Sequence, residues 1–169
     1  MKLLPRLSQA KSVMNPSPSS QQHINSTRAL EAGAGVGRVS TDVLLYYSKY
    51  VELIEPTSKF TKVARERLSV HPKVIEGAKW TVKDIGLQQW QADGVYDVIW
   101  TQWCVPHLSD AELIEYLQKS QRALRRFKQG EEGYGQDGIV VVKENVCLDS
   151  DYTLFDDEDS SITRLVGGI

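Results

Sequence analysis

The stretch "ALEAGAGVGR", residues 29–38, decides the fold: an apolar run passes into glycines at alternating positions, Gly33, Gly35 and Gly37, with Glu31 just before them and Arg38 just after. Glycines at this spacing let a strand turn sharply into a helix and let a ligand approach the backbone closely. "RALEA" reads as the strand, and Val36, Val39, Val43 and Tyr47 recur beyond the loop at helical spacing. "YVELIE" follows as a second strand, and Phe60, Val63, Ala64 and Leu68 share one face of the helix after it. "AKWTV" and "YDVIW" read as strands three and four, and "GIVVVKENV" as a fifth whose apolar run suits cover on both faces. The clearest helix lies between the last two: Ser109 and Glu112 form a capping box, and Leu113, Tyr116, Leu117, Leu124 and Phe127 form its apolar stripe. Strands alternating with helices predict an α/β, Rossmann-like parallel sheet flanked by helices, with ligands at the carboxyl ends of the strands.

Composition sets the bounds around this pattern. A chain of 169 residues, 41% hydrophobic, has the size of one domain with a true core. Residues 1–26 contain "MNPSPSSQQHINS", which offers almost nothing to bury and reads as a disordered Ser/Pro-rich tail, leaving 27–169 as the domain. The tail is basic and serine-rich like an organelle transit peptide, but its prolines argue against an amphipathic targeting helix. The net charge of −2 gives no general attraction to nucleic acid or anionic membrane, and no apolar run approaches the ~20 residues that span a bilayer. Charge is nonetheless segregated: five cations and no acids in 119–128, six acids and no cations in 149–159. Cys104 and Cys147 lack metal-ligand spacing, so they are expected as free thiols in a reducing compartment, the cytoplasm or also the nucleus, and nothing suggests a metal.

The glycine spacing narrows the ligand. A dinucleotide fingerprint asks for a third glycine where Arg38 stands. A cation there suits a carboxylate such as the amino-acid end of S-adenosylmethionine. Glu55 follows Gly35 by 20 residues at the end of the second strand, where a carboxylate accepts hydrogen bonds from both ribose hydroxyls. The plainer alternative is a tight turn with a solvated acid. "YDVIWTQWCVPHL" brings Thr101, Gln102, Trp103 and His107 out at the carboxyl end of strand four, beside that ligand, while alternation turns Trp100 into the core. His107 is either structural or an acid–base group, and "DDEDSS" either a solvated turn or a surface for a cationic partner.

"ALEAGAGVGR", "LIEPT", "GLQQW", "YDVIWTQW", "HLSDAEL", "VVVKEN" and "LFDDEDSSITR", in that order over residues 27–166, resemble the eukaryotic protein N-terminal (alpha-N) methyltransferases, a family with the class I methyltransferase fold. The resemblance implies methyl transfer from S-adenosylmethionine to the free alpha-amine of protein N-termini of X-Pro-Lys type. It implies that Gly33, Gly35 and Arg38 hold the methionine end of the cofactor, Glu55, Pro56 and Thr57 the ribose, Leu87 and Gln88 the adenine, and that Gln102 lies nearest the methyl group. Trp103, Asn145, Asp156, Asp159 and Ser161 would line the substrate N-terminus, with His107 and Asp159 as the catalytic pair that deprotonates and orients the amine. The chain departs from the family pattern in having Glu at 55, where Asp is commoner, and Pro at 106, where Gly is common. The family's sheet closes with a helix and an antiparallel strand pair, so the C-terminal strands are expected to be missing. Two further expectations follow: a shortened, inactive member that only binds cofactor or peptide, or a methyltransferase with a small-molecule substrate.

Overall fold

The computed structural model describes residues 27–126, 137–147 and 154–164. The expected tail, Phe127 of the helical stripe and the acids Asp149 and Asp151 lie outside the described residues.

Five strands, β1 (Arg28–Ala32), β2 (Tyr50–Ile54), β3 (Lys79–Lys83), β4 (Val98–Gln102) and β5 (Ile139–Lys143), form one parallel sheet in the order β3-β2-β1-β4-β5. The order reverses between β1 and β4, which opens a crevice at their carboxyl ends. Helices α1 (Leu45–Tyr47, continuing a π-helical turn over Ser40–Leu44), α2 (Ser58–Ser69), α3 (Pro72–Ile75) and α4 (Asp110–Ala123) connect the strands, with a 3-10 turn over Val105–His107. Alternation along β1 and β2 divides the core in two. Leu30, Ala32, Ile54 and Ile99 pack with Trp90, Tyr96, Leu113 and Tyr116 on the α4 face, and Ala29, Val51 and Leu53 pack with Leu44, Leu45, Ala64 and Leu68 on the other. Trp100 joins the second cluster, partly buried. The capping box of α4 forms in both directions: Glu112 N–H donates to Ser109 Oγ (3.3 Å) and Ser109 N–H to Glu112 Oε2 (2.8 Å).

Four expectations need correction. The helix after the glycine loop turns Ser40, Thr41, Leu44 and Leu45 to the core, leaving Val43 and Tyr47 exposed. In α2 the buried face is Thr61, Ala64 and Leu68, while Phe60 and Val63 are exposed. The threonines of these faces are tolerated because their hydroxyls bond local carbonyls, Thr41 Oγ1 to Gly37 O (3.1 Å) and Thr61 Oγ1 to Ser58 O (3.1 Å). Thr101 does not reach the crevice: it is fully buried and bonds Tyr116 Oη at 2.6 Å. β5, read as covered on both faces, is the sheet's edge, with Ile139 exposed and its valines only partly buried.

The described part of the acidic stretch, residues 154–159, expected as a loop, forms β6 (Leu154–Asp156) and the turn that joins it to β7 (Ser161–Thr163) in a separate antiparallel hairpin. Asp156 Oδ1 accepts from Glu158 N–H at 2.9 Å, the local bond that makes aspartate a turn former. The hairpin is stitched to the chain leaving β5, because Cys147 N–H donates to Arg164 O at 2.9 Å.

A buried ionic cluster holds the opposite flank. Glu52, without solvent access, accepts from Arg28 Nη2 (2.6 Å), Lys83 Nζ (2.9 Å), Tyr96 Oη (3.0 Å) and Trp90 Nε1 (3.3 Å). Asp93 pairs with both cations, its carboxyl held below the usual range first by Lys83, while the Arg28 guanidinium lies 4.6 and 4.5 Å from the ring centres of Tyr50 and Tyr96. The cluster ties β1, β2 and β3 to the loop that leads from β3 to β4.

Candidate active site

A cavity of about 480 Å³ opens at the carboxyl ends of β1, β2 and β4, within the range of a small-molecule site. β1 ends in the glycine loop, where Gly33, Gly35 and Gly37 all take positive φ (71°, 52° and 73°), conformations that side chains disfavour. Each glycine has its own reason. A Cβ on Gly33 would lie 2.5 Å from both Cβ and Sγ of Cys104, and one on Gly37 would press to 3.2 Å against Ala64 and Leu53. Gly37 thus supplies the close helix-to-strand packing that the dinucleotide pattern assigns to the next position, which frees position 38 for arginine. A Cβ on Gly35 would meet nothing, so that backbone faces open cavity.

Glu55 is 7% exposed and closes the loop from below: its Oε2 accepts from Gly35 N–H (3.0 Å) and its Oε1 from Thr57 N–H (2.9 Å). A carboxylate has about four acceptor positions, so two remain for a ligand's hydroxyls. Of the residues singled out from sequence, Gly33, Gly35, Arg38, Glu55, Pro56, Thr57, Leu87, Gln88, Gln102, Trp103 and His107 all line this cavity. Asn145, Asp156, Asp159 and Ser161 do not; the first three are exposed beyond β5 and on the hairpin, and Ser161 is partly buried.

Glu31, Phe60 and Cys104 are among the lining residues that escaped the sequence reading. Glu31 sits on β1, 4% exposed, accepting from Ser40 N–H at 2.7 Å. Burial pushes its carboxyl up to about 7 against the pull of the Ser40 hydrogen bonds and of Arg67. An acid inside an apolar strand was the signal that could have found it. Phe60, placed on the packing stripe of α2, faces the cavity instead. Cys104 forms part of the wall with its thiol on Ala32 O (3.2 Å); burial pushes it up to about 12, which makes it a packing group, not a nucleophile.

At the other end Trp103 takes φ 54° and is 52% exposed, with Lys143 Nζ 4.5 Å from its ring centre and its own N–H on Lys143 O (3.1 Å). His107 ends the 3-10 turn that follows, exposed at the cavity. Glu144 caps that turn: its Oε1 accepts from Cys104 N–H (2.7 Å) and Val105 N–H (3.2 Å). Burial raises the Glu144 carboxyl, opposed by these amides, by that of Asn145 and by His107. Among the described residues no group of acids, histidines and cysteines could hold a metal ion, and no helix is long and apolar enough to cross a membrane.

This sheet order, with a glycine loop after β1 and an acid after β2, defines a Rossmann-like, class I methyltransferase fold. Solved structures agree: a SAM-dependent methyltransferase of Leishmania major superposes with a TM-score of 0.65 at 26% identity, over 94% of this chain and 55% of that one. An O-methyltransferase of Brevibacillus brevis in complex with S-adenosyl-L-homocysteine shares the fold at a TM-score of 0.60 and 14% identity, over 82% of this chain and 42% of that one. The chain belongs to the AdoMet dependent proline di-methyltransferase family, whose pattern matches residues 11–167. Among curated relatives, the alpha N-terminal protein methyltransferase 1 of Schizosaccharomyces pombe is 36% identical over 80% of this chain and 54% of its own length. The N-terminal Xaa-Pro-Lys N-methyltransferase 1-B of Xenopus laevis is 35% identical over 85% of this chain and 57% of its own. The chain therefore spans little more than half the length of these relatives. S-adenosylmethionine is the family's cofactor, and the residues present fit it: open space over Gly35, spare acceptor capacity on Glu55 and an exposed guanidinium at position 38 lie around one cavity.

Proposed function

We propose that this chain is a protein alpha-N-methyltransferase acting on N-termini of X-Pro-Lys type. One observation carries the reading: a single cavity joins a cofactor end (Gly33, Gly35, Arg38, Glu55, Leu87, Gln88) to an acceptor end (Gln102, Trp103, His107). The bound cofactor supplies an activated methyl group on sulfur. The chain's own residues then have to bring a neutral amine in line with it. An alpha-amine has a reference pKa of about 7.7 to 8.0, so most of it is protonated near neutral pH. His107 has the chemistry to take that proton, and Trp103 offers an aromatic face to the residues behind the amine. Asp159 would orient the amine, with Asn145, Asp156 and Ser161 flanking the peptide. Asp156 at the end of β6 and Asp157, Glu158 and Asp159 in the turn after it form an exposed acidic patch, complementary to a peptide with a terminal ammonium and a lysine in third position.

The experiment is mass spectrometry of a Ser-Pro-Lys peptide incubated with the chain and S-adenosylmethionine, beside its N-acetylated twin. Methyl steps on the free peptide alone are expected, and His107→Gln should lower turnover by on the order of 10²-fold or more while cofactor affinity holds. Methylation of the acetylated twin would refute alpha-amine chemistry. A second reading, a chain that binds cofactor without turnover, is favoured by the position of Asn145, Asp156, Asp159 and Ser161 off the cavity wall. Calorimetric binding of S-adenosylhomocysteine with no product on either peptide would select it.

A further inference from the structure

The turn that carries His107 is gripped at both ends by charges from a different part of the chain. On its N–H end, the Glu144 carboxylate accepts from Cys104 (2.7 Å) and Val105 (3.2 Å). On its carbonyl end, the Arg164 guanidinium donates to Val105 O (3.3 Å) and Leu108 O (2.7 Å) and reaches on to Asp110 Oδ1 (2.9 Å), in the first turn of α4. Arg164 is 5% exposed and follows directly on β7, which packs against the turn. Charge-assisted bonds to both polar ends of one short turn leave it little freedom, since displacing either partner strands a buried charge or orphaned backbone groups.

The geometry points to Glu144 and Arg164 as a pair of positioning residues that fix the His107 turn at the cavity and couple its placement to the acidic β6–β7 hairpin. This rests on the proposed function in assigning His107 to the amine. The coupling is direct: Arg164 immediately follows β7, the strand that begins just after the acidic turn, and its carbonyl is tied to Cys147, three residues beyond Glu144. A peptide held by the acidic turn would therefore meet a His107 whose position is referenced to the same hairpin. Neither residue lines the cavity, so their effect on the reaction runs through His107.

The test uses the full chain with Glu144→Ala, Glu144→Gln and Arg164→Met. Two readouts are taken: amide hydrogen exchange at Cys104 and Val105 with the imidazole resonances of His107 (assigned by their loss in His107→Gln), and kcat, KM and S-adenosylhomocysteine affinity with a Ser-Pro-Lys peptide. Glu144→Ala is expected to speed exchange at both amides, shift the His107 resonances and lower kcat by on the order of 10²-fold, the scale of a displacement of about 1 Å, with cofactor affinity unchanged. Glu144→Gln keeps an acceptor oxygen and should restore exchange and most of kcat. Arg164→Met should shift the same resonances and raise KM for the peptide as well. Unchanged exchange, resonances and kcat in Glu144→Ala would overturn the inference. So would a loss of cofactor affinity parallel to the loss of kcat, or a Gln variant no better than Ala. Should Arg164→Met not fold, the Glu144 pair decides alone. If the unmodified chain leaves the peptide untouched, the proposed function falls while exchange and resonances still decide the clamp.

Discussion

Glu31→Gln isolates the one cavity carboxyl that burial has moved into the neutral range. Its ordinary value of 4.5 becomes about 7 in the folded chain, a rise of about 2.5 units. At about 1.4 kcal/mol per unit, that is about 3 kcal/mol between the two protonation states. In the unfolded chain Glu31 loses its proton near 4.5, whereas the folded chain keeps it until about 7. Folding thus takes up a proton between those values, and the carboxyl's contribution to stability is complete below about 4.5 and lost as pH rises through about 7. Glutamine keeps an acceptor for Ser40 N–H and has no proton to lose. The stability of the variant minus that of the parent should therefore climb by about 3 kcal/mol from acid to mildly alkaline pH, equivalent to a Tm difference of about 6 to 12 °C for a domain of this size. Thermal unfolding of both proteins without cofactor, at fixed ionic strength across that range, measures it. A difference that stays flat across this range would refute the reasoning. It would mean that Ser40 and Arg67 hold the carboxylate ionised despite its burial.

Two further substitutions probe the frame around the cavity. Gly33→Ala adds a methyl 2.5 Å from Cys104 Cβ and Sγ at a φ of 71°, and should cost about 2 to 5 kcal/mol in urea unfolding from overlap and backbone strain together. Adding Cys104→Ala should recover only part, because the Cβ contact stays; a neutral Gly33→Ala would show that the loop relaxes freely. Glu52→Gln leaves Arg28 and Lys83 beside a neutral partner and should cost about 3 kcal/mol. It should also weaken S-adenosylhomocysteine binding by loosening the loop that carries Leu87 and Gln88. Lost stability with full affinity would separate the cluster from that loop.

The parallel sheet and the glycine loop were legible because backbone demands are written in residue type: glycine takes φ 71° against Cys104 without a Cβ to clash, and strands that alternate with helices pair in parallel, whereas the strand order was not legible. The glycine-loop end of the cavity was legible for the same reason, since Glu55 and Gly35 are joined by a hydrogen bond across the loop. Helix faces were harder. Val43 and Tyr47 repeat at the right interval but point outward, because Ser40, Thr41, Leu44 and Leu45 take the buried side, with Thr41 Oγ1 on Gly37 O and the Ser40 amide on Glu31. β5 shows a limit of composition: "GIVVVKENV" is as apolar as a central strand, and only the pairing order reveals an edge. Glu144 and Arg164 were invisible as partners because 20 residues separate them and a third segment joins them.

Trp103 holds a left-handed backbone angle that a glycine would adopt freely, at a cost on the order of 1 to 2 kcal/mol for any other residue. Read as a trade, the position gives up stability to keep an indole at the cavity mouth. Drift toward glycine there would be rewarded in any selection for folding alone, and would strip the Lys143 cation of its aromatic seat. A screen of variants for heat resistance should therefore enrich changes at position 103 that a screen for activity rejects, and the divergence of the two screens would mark where the chain spends its stability on chemistry.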